Sequence, residues 1–380
     1  MTRPVVLVAG GGTGGHVFPG LAVAEAMRPL ADVDVVFCGT PRGLEARVVP
    51  ERGWRIELLD VEPIKGGGLR RAVRGAAVAA RATVKAVRLV RALRPRVVLS
   101  VGGYAAGPVC LAASLLGVPL AVLEANSVVG LANRILGPLA ARAYVVWDDT
   151  GARFRPSARR VLGMPLRPGF APSAYVPGEG ARVLVMGGSQ GAAALNERMP
   201  RVIALLGDVP GLEVLHQAGR DRDAAVREAY RGESLERVDV VPFIDDVAKA
   251  IATADVVIAR AGAATLAEIT AVGRAAILVP FPHAADDHQA RNAEALARVG
   301  AAVCVRQEHA EPERLAAEIR RLLRDDAARV AMADASRAHG HPRAAHDVAV
   351  DLLELAGIPR ASRSGKNGGA RARVPAPEVS

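Results

Sequence analysis

Aromatic side chains are scarce in this chain: two Trp, four Tyr and six Phe in 380 residues, with none between Trp54 and Tyr104. Single-stranded nucleic acids are held by stacking bases on aromatic rings, so that class of partner lacks its platform here. Cysteine is nearly absent too. Cys38, Cys110 and Cys304 lie far apart and form no C-x-x-C pair, which argues against a disulfide framework or a zinc site and points to a reducing compartment. No signal peptide is expected, because the first apolar run, Val5 to Ala9, is short and runs straight into glycines. Charge is missing from Val97 to Leu123, a length that could span a bilayer. Gly102, Gly103, Gly107, Pro108, Gly117 and Pro119 divide that passage, and VVLSV and PLAVL within it read as buried parallel strands.

Acid is missing from a longer stretch, for no Asp or Glu lies between Glu62 and Glu124. Lys65, Arg70, Arg71, Arg74, Arg81, Lys85, Arg88, Arg91, Arg94 and Arg96 fill it with positive charge, and these ten equal the net charge of the whole chain, +10. At 100° per residue Arg70, Arg74, Arg81, Lys85 and Arg88 share one helix face, with Val73, Ala77, Ala80, Val84 and Val87 on a neighbouring one. A solvated helix face would look the same. The alternative is contact with an anionic surface, and without aromatics lipid headgroups are favoured over nucleic acid. Ile64 and Leu69, beside Gly66 to Gly68, are the candidate inserting residues, and no specific nucleic acid is expected despite a pI near 10.3. If that helix meets lipid, the protein is expected at the cytoplasmic face of the cell membrane, as a peripheral protein.

Hydrophobic residues make up 51% and charged residues 23%, as in ordinary globular domains, and the length suits two of them. Apolar strand-like runs alternate with helical patterns almost throughout, the mark of parallel α/β architecture. Strands are expected near 5–9, 34–38, 55–59, 97–101, 120–124 and 143–147, then near 182–186, 212–216, 238–241, 255–258, 275–279 and 302–305. Two doubly wound sheets follow, in domains at 1–165 and 166–358, with a disordered basic tail at 359–380. The halves echo each other: VLVAGG at 6–11 and VLVMGG at 183–188 are both strands emptying into glycine turns, which puts helix N-termini with free N–H groups at the carboxyl ends of both sheets.

The first turn, GGGTGGH at 10–16, has the G-x-G-x-x-G spacing of a dinucleotide loop, but the second strand ends in Phe37, Cys38, Gly39, with no carboxylate for a ribose. A Walker loop fails because no G-K-[S/T] follows. With GGYAAGP at 102–108, LEAN at 123–126, GMPLR at 163–167, GGSQGA at 187–192, HQAG at 216–219, PFIDD at 242–246, RAGAATLAE at 260–268 and PHAADDHQARNA at 282–293, the chain resembles the MurG family of peripheral membrane glycosyltransferases. The resemblance implies a GT-B fold, two Rossmann-like domains around a cleft. It also implies inverting, metal-independent transfer of N-acetylglucosamine from UDP-N-acetylglucosamine to the 4-hydroxyl of undecaprenyl-diphosphate muramyl pentapeptide (lipid I), giving lipid II. No cofactor is implied. A related enzyme acting on another lipid, or a silent membrane scaffold of the same fold, is the alternative.

Carried onto this chain, the resemblance puts the acceptor diphosphate at Gly103, Tyr104 and Gly107 and the donor at Thr13, Gly14, Gly15, Asn126 and Arg167. Gly188, Ser189 and Gln190 would meet the departing diphosphate with backbone N–H groups, a hydroxyl and a helix dipole. Ile244 would offer backbone to uracil, Ala263, Ala264, Thr265, Leu266 and Ala267 line the donor helix, and Gln289 and Asn292, on one helix face, would read sugar hydroxyls. Met164 stands where the family carries Asn, which removes a hydrogen bond there. Glu268 suits both hydroxyls of the ribose, although Thr265 and Glu268 also fit a T-x-x-E capping box. For the general base there are two candidates, His16 after the first glycine turn and Glu124 at a strand end. The pairs Asp148/Asp149, Asp245/Asp246 and Asp286/Asp287 read as caps and turns, so no metal is assigned.

Overall fold

The computed structural model describes residues 3–61, 69–103, 105–178, 180–188, 190–233 and 237–361, with side chains from residue 81 onward in the helix that starts at Leu69. Ile64, Tyr104, Ser189 and the tail beyond residue 361 lie outside the described residues, as do the side chains of Leu69, Arg70 and Arg74.

The first half runs β1 (Val5–Gly10), α1 (Gly14–Met27), β2 (Asp34–Gly39), α2 (Glu45–Glu51), β3 (Arg55–Leu58), α3 (Leu69–Leu93), β4 (Val97–Gly102), α4 (Ala106–Leu115), β5 (Leu120–Glu124), α5 (Leu131–Leu136), β6 (Arg142–Val145), α6 (Asp148–Gly151) and β7 (Arg159–Val161). The second runs β8 (Ala181–Met186), α7 (Ala193–Ala204), β9 (Leu212–Gln217), α8 (Asp223–Gly232), β10 (Val238–Val241), α9 (Val247–Thr253), β11 (Val256–Ala259), α10 (Ala263–Val272), β12 (Ala275–Leu278), α11 (His288–Arg298) and β13 (Val303–Cys304). Three helices follow: α12 (Pro312–Arg324), α13 (Asp326–Ala338) and α14 (Ala344–Leu355). All strands pair in parallel, in the orders β3-β2-β1-β4-β5-β6-β7 and β10-β9-β8-β11-β12-β13.

Parallel strands covered on both faces must be apolar on both, and β1 shows it. Val6 and Val8 enter one core while Leu7 and Ala9 enter the other. β8 divides Val183 and Val185 from Leu184 and Met186 in the same way. All twelve expected strands are present; β7 is an addition, paired at the sheet edge with β6. In both sheets the strand order reverses beside the first strand, between β1 and β4 and between β8 and β11. Loops diverge at such a switch point and open a crevice. The glycine turns after β1 and β8 therefore sit where ligands of this architecture bind.

Two expectations need amending. Val348, Ala349, Leu352 and Leu353 of α14 lie in the core of the first sheet with α1, and Tyr144 of β6 donates its hydroxyl to Asp351 at 2.8 Å. The chain thus returns to its first domain, so residues 344–358 do not complete the second. On α3 the buried face is Ala82, Ala86 and Val90, whereas Val84 is 53% exposed. Small alanines let α3 lie close on α4 and turn Val84 outward beside exposed Arg81, Lys85 and Arg88.

Candidate active site

The loops after β1 and β4 press together at the first switch point. Gly11 donates its N–H to the Gly102 carbonyl at 3.0 Å, and a Cβ on Gly103 would stand 2.2 Å from the Gly11 carbonyl oxygen. With φ near +88° as well, position 103 accepts glycine alone. This close approach brings His16, on the first turn of α1, beside the second loop. Its Nδ1 lies 3.1 Å from the Gly11 carbonyl and 3.5 Å from the Thr13 hydroxyl.

A cleft cavity of about 850 Å³ gathers residues from both domains. Thr13, Gly15, His16, Gly103, Gly107, Glu124 and Asn126 come from the first, Ala263 and Ala264 from the second. The cavity continues along α4 and α5, where Leu111, Leu131, Ile135 and Leu139 line it although each is more than 40% exposed. Arg167, Gly188, Gln190, Ile244, Glu268 and Gln289 lie outside this cavity. Among the described residues no group of His, Cys, Asp and Glu side chains converges as metal ligands would.

Glu124 is buried and fully engaged. Its carboxylate accepts from the Asn126 N–H at 3.1 Å, the Gly130 N–H at 2.8 Å and the Asn133 side-chain amide at 3.0 Å. It thereby folds the loop after β5. Asn292 is buried as well, and accepts from the Ser127 N–H at 2.9 Å across the domain boundary while donating to the Ala261 carbonyl at 3.3 Å. It clasps the two domains rather than facing open cleft. Gln289 accepts from the Phe281 N–H at 3.0 Å, and Ile244 is buried in the second core.

Glu268 is free of such duties, with no hydrogen bond among the described residues. Burial pushes its carboxyl up to about 7, with nearby Arg167 pulling the other way. The capping-box alternative fails on register: α10 begins at Ala263 with Gly262 as its N-cap, so Thr265 lies inside the first turn and caps nothing. Asp246 does cap α9, accepting from the Lys249 N–H at 2.9 Å. His216 lies buried between Tyr230 and Asn196, at 2.9 and 3.1 Å, and burial lowers it to about 4, so it packs as a neutral imidazole.

Two doubly wound domains with their switch-point loops meeting at one cleft define the glycosyltransferase architecture known as GT-B. Models of the glycosyltransferase family 28 N-terminal and C-terminal domains match residues 6–145 and 182–348. A protein of Sorangium cellulosum named UDP-N-acetylglucosamine--N-acetylmuramyl-(pentapeptide) pyrophosphoryl-undecaprenol N-acetylglucosamine transferase is 58% identical over 93% of this chain and 89% of its own. A Myxococcus xanthus protein of the same name is 40% identical, over 92% of this chain and 93% of its own. The crystal structure of Acinetobacter baumannii MurG superposes with a TM-score of 0.78 at 34% identity, covering 92% of this chain and 99% of that one. The chain belongs to glycosyltransferase family 28 and, within it, to the MurG family.

Sequence reasoning missed Glu45. This buried carboxylate accepts from the Gly12 N–H, and the glycines at 39 and 43 that flank it were its available signal.

Proposed function

We propose that this chain moves N-acetylglucosamine from UDP-N-acetylglucosamine to the 4-hydroxyl of lipid I, with inversion at the anomeric carbon, and so forms lipid II. The observation that carries the reading is the cleft wall: His16 and Gly103 from one switch point face Ala263 and Ala264 beside the other. The Nδ1 contact to a carbonyl, which only accepts, favours the tautomer with the proton on Nδ1, leaving the Nε2 lone pair for the acceptor hydroxyl. Glu124 is the poorer candidate, because hydrogen bonds from Asn126, Gly130 and Asn133 already occupy both of its oxygens; its part is to hold Asn126 and Gly130 in place.

On the donor side, Gly188 and Gln190 would turn N–H groups and the positive end of α7 toward the departing diphosphate, with Arg167 as the nearby cation. Glu268, with no hydrogen bond among the described residues, would accept from both ribose hydroxyls. The apolar stretch of the cavity suits the lipid end of the acceptor, and exposed Arg81, Lys85 and Arg88 beside it suit anionic headgroups of the cytoplasmic leaflet. No described helix is long and apolar enough to cross a membrane.

The test is release of uridine diphosphate from UDP-N-acetylglucosamine with and without a lipid I analogue, in EDTA, with UDP-glucose as control donor. Release that needs both substrates and survives EDTA supports the reading. No release from folded protein with any lipid I analogue moves the assignment to another acceptor.

A further inference from the structure

A carboxylate is buried directly behind the first glycine loop, and its hydrogen-bond partners among the described residues are all neutral. Glu45, the first residue of α2, is 2% exposed. Its Oε2 accepts from the Gly12 N–H at 2.6 Å, and its Oε1 accepts from the Thr40 N–H at 2.8 Å and the Thr40 hydroxyl at 3.1 Å. Three glycines, one in the loop after β1, one ending β2 and one between β2 and α2, leave room for it. A Cβ on Gly11, Gly39 or Gly43 would come within 2.2 Å of a Glu45 side-chain atom. Burying an ionised carboxylate without a cation is costly, and packing alone would be served by a neutral side chain.

What the charge reaches gives it a purpose. The Gly12 N–H and the Gly11 carbonyl are the two ends of one peptide group, and that carbonyl receives His16 Nδ1 at 3.1 Å. We propose that Glu45 is a positioning residue for His16, acting through the Gly11–Gly12 peptide. The carboxylate draws on the amide N–H, which puts more negative charge on the carbonyl oxygen and tightens its hold on Nδ1–H. The imidazole is thereby fixed in one orientation and one tautomer, with Nε2 as the only basic nitrogen. A carboxylate bonded directly to Nδ1 does the same in hydrolase triads; here one amide is interposed. No proton crosses the amide. The proposal rests on His16 being the base, and the tests below separate the two ideas.

The first test is nitrogen NMR of histidine-labelled full-length protein. The expected result is His16 protonated on Nδ1 in the wild type and a mixture of tautomers in Glu45→Gln; a wild-type ring protonated on Nε2 overturns the relay without any variant. The second is turnover in the four proteins of a cycle: wild type, Glu45→Gln, His16→Ala and both together. Glu45→Gln should lower kcat about tenfold with the donor KM unchanged, and should lower it no further once His16 is gone. An equal loss in both backgrounds would mean that Glu45 merely packs the loop, and the relay falls. Full activity of His16→Ala would refute the base assignment instead, and the tautomer measurement then decides the relay alone. Should Glu45→Gln not fold, Glu45→Asp takes its place: it keeps the charge but ends one methylene short of Gly12, and the same losses are expected.

Discussion

Donor binding should depend on pH through one side chain. Among the described residues Glu268 has no hydrogen-bond partner, and burial raises its carboxyl from the usual 4.5 to about 7 against the pull of Arg167. A neutral carboxyl can still donate, but only the carboxylate accepts from both hydroxyls of a ribose, so the binding-competent fraction rises with pH. With half the molecules ionised near pH 7, about one in eleven is competent at pH 6 and ten in eleven at pH 8, a tenfold gain in donor affinity across that window. The sugar nucleotide suits the assay because its doubly esterified diphosphate does not titrate there, and calorimetry at pH 6, 7 and 8 reads the affinity. Glu268→Gln should bind weakly at every pH, with the slope gone. Its apo form should also be more stable than the wild type at pH 8, because the folded protein holds the Glu268 proton more tightly than the unfolded chain and loses stability as pH rises from 4.5 through 7. The gain is at most about 3 kcal/mol, less where solvent reaches the carboxyl, and it disappears below pH 4.5. A flat affinity in the wild type, or an unchanged slope in the variant, would refute the assignment.

Other perturbations have equally definite outcomes. His216 is held neutral, its folded value of about 4 lying below the ordinary 6.5, so its contribution is complete above pH 6.5 and is lost as pH falls toward 4. Urea titrations at pH 7 and 5 should show about 2 kcal/mol of loss traceable to this side chain, absent in a folded His216→Gln. Gly103→Ala should cost roughly 2 kcal/mol or more and lower kcat, since its Cβ would displace the carbonyl that orients His16; a stable, active variant would contradict the close approach of the loops. Reversing Arg81, Lys85 and Arg88 to Glu removes three exposed cations from α3. At about 1 kcal/mol each, binding to anionic vesicles should fall a hundredfold or more with turnover of a water-soluble acceptor preserved. Unchanged sedimentation would take the helix out of the membrane contact.

The strands were legible because a doubly covered parallel strand is apolar on both faces, and a short unbroken run such as Val6 to Ala9 or Leu120 to Leu123 announces it without reference to the rest of the chain. β7 escaped because Arg159 and Arg160 sit in a strand at the sheet edge, where no such run is needed. Helical periodicity gave less. It marks Val348, Ala349, Leu352 and Leu353 as a buried stripe, yet nothing in a stripe says which domain it covers, and α14 returned to the first.

The site divides along the same line. Glycine turns at strand ends were readable because their chemistry is backbone geometry, fixed within a few residues, and both turns lie at switch points as the strand-turn-helix pattern required. Side chains whose partners lie far along the chain were not. Glu45 meets Gly12 across 33 residues and Asn292 meets Ser127 across 165, so one was passed over and the other read as suited to sugar hydroxyls. Both carry out buried polar duties that only the folded chain defines. In the clasped form of the cleft Asn292 is fully buried, so a bound sugar can reach it only if that contact opens. A role for it at the donor therefore implies that the domains reset their contact when substrate enters.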